Sequence, residues 1–208
     1  MSDDPRSTRP SRGRPRGFET EAALDAAMLT FWRRGFHGTS MDDLVAATHA
    51  SRASLYQEFG DKRQLFATCL ARYGRAFDDR VTAILAREPN NRRALTAILN
   101  ASADRLSSDD APAGCLRCNS TLELAGSDDG LATALDEVNA AYTATVRRVI
   151  ARAQAAGELS DDDAARWPVI ITGVVNGMVL LARSGASRAD LGVVVEHALS
   201  SLPATFGR

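Results

Sequence analysis

Along the first sixty or so residues, apolar positions recur with the period of a helix. From Thr20 to Arg34, Leu24, Ala27, Met28 and Phe31 fall on one stripe, and Gly35 ends the run before Phe36 supplies an apolar plug. Met41, Leu44, Val45 and Thr48 then stand at i, i+3, i+4 and i+7 of a second, short helix. Ser40 is a good N-cap for it, and Asp43 sits three residues on, where its carboxylate reaches back to the free amides. His49 and Ala50 are too few to make a loop, so the chain must turn sharply. Ser51 caps a third helix through Phe59, with Leu55 and Phe59 inward and Arg52, Ser54, Tyr56 and Gln57 on or near the outer face. Gly60 suits a left-handed helix ending, and Asp61 with Gln64 makes another capping pair. Two short helices joined by a tight turn, the second outwardly polar with a leading Arg, describe a helix-turn-helix.

The rest of the chain reads as further helices: Gln64 to Arg87, Arg92 to Ser107, Gly114 to Leu124, Asp129 to Ala156, Asp162 to Arg183 and Arg188 to Leu202. The breaks fall at Pro89-Asn90-Asn91, Asp109 to Pro112, Gly126-Ser127, Gly157 to Ser160 and Gly185 to Ser187. No strand-period alternation of useful length occurs, so an all-α fold is expected. The segment from Trp167 to Ala182, WPVIITGVVNGMVLLA, is apolar almost all round and must be covered on several sides. Gly173 and Gly177, four apart, let another helix approach closely. With Leu191, Val194, Val195, Ala198 and Leu199, it reads as one half of a homodimer interface through the last two helices. The competing reading is a central core helix within a monomer.

Composition sharpens this picture. The 208 residues carry a formal net charge of -1, which does not by itself suggest a nucleic-acid binder. Charge placement does: the first 16 residues hold five Arg against two Asp, whereas Ser107 to Glu137 and Ser160 to Asp163 are acidic. Residues 1–17 are expected to form a basic disordered arm, in which Pro and Gly keep Arg12, Arg14 and Arg16 extended for a narrow minor groove. A solvated tail is the alternative. No apolar leader is seen, and no segment reads as long and apolar enough to span a membrane, so a cytoplasmic location without membrane association is expected. Lys62 is the only lysine among 25 Lys and Arg side chains.

Three Cys without a secretion signal imply free thiols. Cys115 and Cys118 follow Ala111-Pro112-Ala113-Gly114, which reads as a helix start, where the helix dipole and Arg117 favour a thiolate and a redox or electrophile-sensing role. Two packed thiols of no chemical role are the plainer alternative. No second Cys pair or nearby His completes a metal set. His37, His49 and His197 are scattered, with no nucleophile and base around them, so neither an enzyme nor a cofactor is expected.

From Phe18 to Phe77 the chain resembles the DNA-binding domain of TetR-family transcriptional regulators. The resemblance rests on Gly35-Phe36 with Gly38-Thr39-Ser40, Leu44-Val45-Ala46, Ser51-Arg52 with Leu55-Tyr56 and Phe59, and Lys62 with Leu65. His49 departs from it, standing where many members carry Gly or an apolar residue. The resemblance implies a three-helix DNA-binding domain over 18–64 and a helical effector-binding and dimerisation domain over 65–208. It further implies phosphate contacts from Thr39, Ser40, Tyr56 and Lys62 on a double-stranded DNA operator. Base reading then falls to Arg52, Ser54 and Gln57. A cavity for an unidentified small-molecule effector is implied among the middle helices. Tyr73, Phe77, Asn119, Leu122, Asn139, Tyr142, Val146 and Asn176 are its candidate lining, each with an ordinary packing role as the alternative. The expected activity is that of a dimeric repressor released from a palindromic operator by the effector. A thiol switch at Cys115 and Cys118, a helical enzyme and a non-specific DNA-coating protein are the other classes considered.

Overall fold

The computed structural model describes residues 19–126 and 130–208. The arm and its Arg12, Arg14 and Arg16 lie outside the described residues. Within them the chain forms α1 (Thr20–Arg34), α2 (Met41–Thr48), α3 (Arg52–Phe59), α4 (Lys62–Arg87), α5 (Asn91–Leu106), α6 (Leu116–Leu124), α7 (Ala132–Ala155), α8 (Asp161–Arg183) and α9 (Arg188–Ser200), and no strand. The all-α expectation holds. Helix ends shift from expectation where the caps dictate. The Asp61 carboxylate accepts from the Gln64 amide, so α4 starts at Lys62 rather than Gln64. Gly114 takes a positive φ of 78° and cannot open α6, which leaves Cys115 as its N-cap.

Two apolar clusters organise the helices. The first gathers Leu24, Ala27 and Phe31 of α1, Leu44 of α2, Leu55 of α3, and Leu65, Phe66 and Leu70 of α4. Phe31 meets Phe66 edge-on with ring centroids 4.9 Å apart, and Phe36 lies 5.1 Å from Phe66. Arg72 of α4 adds a two-pronged bond to the Asp25 carboxylate at 2.6 and 2.8 Å and a second ion pair with Glu21, clamping α1 to α4. This cluster does not stop at residue 64: Leu116 and Leu124 of α6 and Leu131 belong to it. The helix-turn-helix unit is therefore built on α4 and α6 as well as on its own three helices.

The second cluster fills the space between α4, α5, α7, α8 and α9, with Val81, Leu95, Leu99, Val149, Ile150, Trp167, Met178, Val179, Leu191 and Val195 buried. The carboxy-terminal turn is tied to it by Arg92, which donates to the carbonyls of Phe206, Leu199 and Pro203 at 3.0, 2.9 and 3.2 Å. One expectation is corrected here. Helix α8 contains an 18-residue window of mean hydropathy 1.5, long and apolar enough by composition to cross a membrane. The charged residues at both ends of α8 had hidden this in the sequence. Its buried residues pack against α5, α7 and α9, as in the core helix of a helical bundle.

Candidate functional site

The α2–α3 corner closes through His49, which takes the left-handed conformation at φ 54°, the single such non-glycine among the described residues. This is the position where the sequence departed from Gly, and His accepts the strain of that conformation. Ser51 caps α3 by accepting from the Ser54 amide, and the two hydroxyls stand 2.8 Å apart. Arg52, Tyr56 and Gln57 are left exposed on the outer face of α3, and Ser54 is half-buried. The Arg52 guanidinium pairs with Asp42 of α2 at 2.5 Å and must exchange that partner to reach a base edge. Ser40 is exposed, but its hydroxyl and amide both engage Asp43 in a capping box, which with the neighbouring Arg34 holds the Asp43 carboxyl down at about 2. That carboxylate takes up the Ser40 amide at the start of α2.

Two residues expected at phosphate make contacts within the protein. Thr39 is 1 % exposed, and its hydroxyl donates to the Gly35 carbonyl at 2.6 Å, so its side chain is a strut beneath the surface. A short β-branched side chain at a helix entrance turns inward as readily as outward, which the motif alone does not reveal. Lys62 donates from Nζ to the carbonyls of Phe36 and Thr39, both at 2.9 Å, and lies 4.1 Å over the Phe36 ring. Partial burial lowers the pKa of its ammonium. Glu123 of α6 grips the same loop from the other side, accepting from the amides of Phe36 at 3.0 Å and His37 at 2.8 Å. A Cβ at Gly35 would stand 2.6 Å from that carboxylate, so the contact requires glycine there.

Above this junction, α4, α5, α7 and α8 enclose a cavity of about 300 Å³ with the first turn of α6 at its floor. Tyr73, Phe77 and Tyr142 of the expected set line it, joined by Ile84, Ile98, Val138 and Val179. Sequence reading missed Arg80 and Arg105, which also line it. The available signal was an Arg seven residues after an apolar position on the same stripe, Tyr73 to Arg80 and Ile98 to Arg105. Arg105 donates to the Gly114 carbonyl at 3.2 Å and covers the rings of Trp32 and Tyr73. Arg117, 7 % exposed, lies 4.1 Å over the Tyr142 ring and donates to Asn139 at 2.7 Å and Asn176 at 2.9 Å. Asn139 and Asn176 thus support Arg117 instead of lining the cavity.

Three further residues of the expected lining are corrected. Leu122 is 65 % exposed, because α6 is too short to bury two faces. Val146 is packed in the apolar core between α4, α5 and α7. Asn119 donates to the Ala113 carbonyl at 3.1 Å and bridges the loop before α6.

Cys115 lines the cavity and Cys118 lies one turn on, both buried. The Cys118 thiol faces the Cys115 sulfur, and that hydrogen bond is the largest influence holding the Cys115 thiol well below its usual range. Burial opposes it, while the Tyr73 hydroxyl, donating at 3.3 Å, the Cys118 amide and the Arg105 charge act in the same direction. Cys118 is pushed upward by the same bond and by burial, and its thiol also meets Asn176 Oδ1 at 3.3 Å. Among the described residues no group of three metal-ligating side chains forms.

Known proteins with this arrangement are transcriptional regulators. Residues 23–69 match the family described as bacterial regulatory proteins, tetR family, and residues 92–198 match the tetracyclin repressor-like C-terminal domain. The HTH-type transcriptional repressor ComR of Escherichia coli K12 is 35% identical over 192 residues, covering 91% of each chain. The regulator CifR, solved as a cysteine mutant with a 26bp double-strand operator DNA, is 32% identical with a TM-score of 0.78, covering 92% of this chain and 100% of that one. The reduced form of Escherichia coli NemR shares the fold at a TM-score of 0.77 and 20% identity, covering 88% of this chain and 97% of that one.

Proposed function

The chain belongs to the TetR family and is a helix-turn-helix DNA-binding transcriptional repressor, and from that premise we propose that it acts as a homodimer released from a palindromic operator when a small molecule fills the α4–α8 cavity. The observation that carries this reading is the double attachment of α6. Cys115 and Arg117 at its start line the cavity, and Glu123 near its end holds the Phe36 and His37 amides of the DNA-binding unit. Helix α6, nine residues and about 13 Å long, joins the two as a rigid rod. A ligand that displaces Arg117 moves Glu123, and with it the corner between α1 and α2. Helix α4 runs the same way, from Lys62 at the DNA-binding unit to Ile84 at the cavity. An effector works only by preferring the arrangement that does not fit DNA.

The dimer follows from the outer faces of α8 and α9. Val169, Ile170, Leu180 and Leu181 form an exposed apolar stripe on α8, and Val193 extends it on α9. Gly173 and Gly177 on that stripe have nothing within 4 Å of a Cβ position, leaving room for a partner helix to approach closely. A palindromic operator needs a two-fold partner, and CifR was solved on an operator duplex. Arg52 and Gln57 read bases, Ser40 and Tyr56 hold phosphate, and Arg12, Arg14 and Arg16 enter the adjacent minor groove. Selection of bound sites from random duplexes, followed by footprinting, is expected to return an inverted repeat protected symmetrically. A single unsymmetrical half-site would end the dimer reading.

A second reading rests on the thiol pair. The Cys115 sulfur, opening onto the cavity, attacks a peroxide oxygen and becomes a sulfenic acid as hydroxide or alkoxide leaves. The Cys118 thiol then displaces water to give the disulfide, two electrons having passed to the peroxide. Operator affinity measured before and after stoichiometric peroxide tests it; an oxidised protein that binds as the reduced one does removes the switch.

A further inference from the structure

We infer that the cavity between α4, α5, α7 and α8 is a binding site for an apolar carboxylate, its acid group held by Arg80 and Arg105 and by the Tyr142 hydroxyl. This deepens the effector reading and rests on it only for the consequence of binding. The cavity lining holds three guanidinium groups, Arg80, Arg105 and Arg117, and no carboxylate. Cationic groups facing a shared apolar space without an acidic partner are costly unless an anion joins them. Arg117 is already occupied by Asn139, Asn176 and the Tyr142 ring. Arg105 uses one N–H on a carbonyl, and Arg80, at the solvent-exposed mouth, makes no hydrogen bond or ion pair among the described residues. Each guanidinium offers five donors in a fork that matches a carboxylate.

Tyr142 supplies the independent sign of a ligand. It is 92 % buried by its 8 % exposure, it lines the cavity, and its hydroxyl finds no hydrogen-bond partner among the described residues. Buried hydroxyls are ordinarily satisfied, and an unsatisfied one on a residue of the cavity wall lacks the acceptor that a carboxylate would bring. The remaining wall is apolar and aromatic, with Phe77 and Tyr142 rings 5.1 Å apart and Ile98 and Val179 opposite, which suits a hydrocarbon or aryl body. The volume of about 300 Å³ sits at the small end of drug-sized sites and excludes large conjugates.

The test is calorimetric titration of the full-length protein with octanoate and 4-phenylbutanoate, each against the primary amide and the amine of the same skeleton. Each carboxylate is expected to bind about tenfold or more tighter than its amide, with the amine weakest. Arg80→Ala and Tyr142→Phe, one at the open mouth and one removing a single oxygen, are each expected to reduce carboxylate affinity by about tenfold while thermal unfolding stays unchanged. Amides or amines binding as tightly as the acids overturn the inference, as does the absence of carboxylate binding up to millimolar concentration. Operator affinity, followed in parallel by fluorescence anisotropy, separates the two claims. A carboxylate that binds without releasing operator DNA defeats the effector reading alone. Release by a neutral molecule, with no acid bound, defeats the carboxylate assignment alone.

Discussion

Lys62 illustrates how one side chain can serve two ends. Its ammonium joins the carbonyls of Phe36 and Thr39 to the start of α4, and the family resemblance expects the same group to meet a phosphate. Lys62→Met is therefore expected to lower unfolding free energy by about 1–3 kcal/mol, because two carbonyls lose their donor, and to weaken all DNA sequences alike. Unchanged denaturant midpoints would show that the two carbonyl bonds contribute nothing. Cys115 carries a second residue-scale prediction. The Cys118 hydrogen bond lowers the pKa of the Cys115 thiol and raises its own, so iodoacetamide is expected to alkylate Cys115 before Cys118. Cys118, shifted upward, should remain unlabelled in the same digest followed by mass spectrometry. Labelling of Cys118 as fast as or faster than Cys115 would contradict the proposed environment.

At the scale of elements, α2 depends on its first turn. The Asp43 carboxyl is held at about 2 by the Ser40 hydroxyl, the Ser40 amide and Arg34. A carboxyl depressed in the folded state stabilises it above the unfolded pKa of about 4 and loses that contribution as pH falls through about 2. The melting-temperature gap between the parent and Asp43→Asn should thus be constant from pH 7 to about 5 and close between about 4 and 2. A gap that persists at pH 2 would place the effect of Asp43 elsewhere. On α8, Gly177 has open space at its Cβ position. Gly177→Phe should leave a folded protomer that sediments as a monomer and loses operator affinity, since the bulk meets only a second copy. A dimer of unchanged strength would move the interface away from this face.

Over the whole molecule, one connection links α6 to the helix-turn-helix. Glu123 joins α6 to the corner of the DNA-binding unit through two amides at 3.0 and 2.8 Å. Glu123→Gln keeps the shape but provides one carbonyl oxygen and a donor that both amides reject. Operator binding by the ligand-free protein is expected to persist, while ligand-dependent release weakens by about tenfold in effective concentration. Full release in the variant would show that α4 alone transmits the signal. None of this was visible beforehand, since Glu123 stands in the chain as one acidic residue among many, 87 positions from Phe36.

The sequence by itself determined the helices, their caps and the helix-turn-helix, because those features arise within a few residues: Ser40 with Asp43, Ser51 with Ser54, Asp61 with Gln64, and the apolar period between them. Of the cavity lining that the family resemblance suggested, Tyr73, Phe77 and Tyr142 stand on the cavity wall. Tertiary structure alone decided which way polar side chains turn. It sent the Thr39 hydroxyl inward, set Asn139 and Asn176 behind Arg117, brought Leu122 to solvent and gathered Arg80 and Arg105 on one apolar space. The physical reason is that capping and periodicity are local, whereas the partner of a buried charge or hydroxyl comes from whichever distant helix the packing of the core delivers.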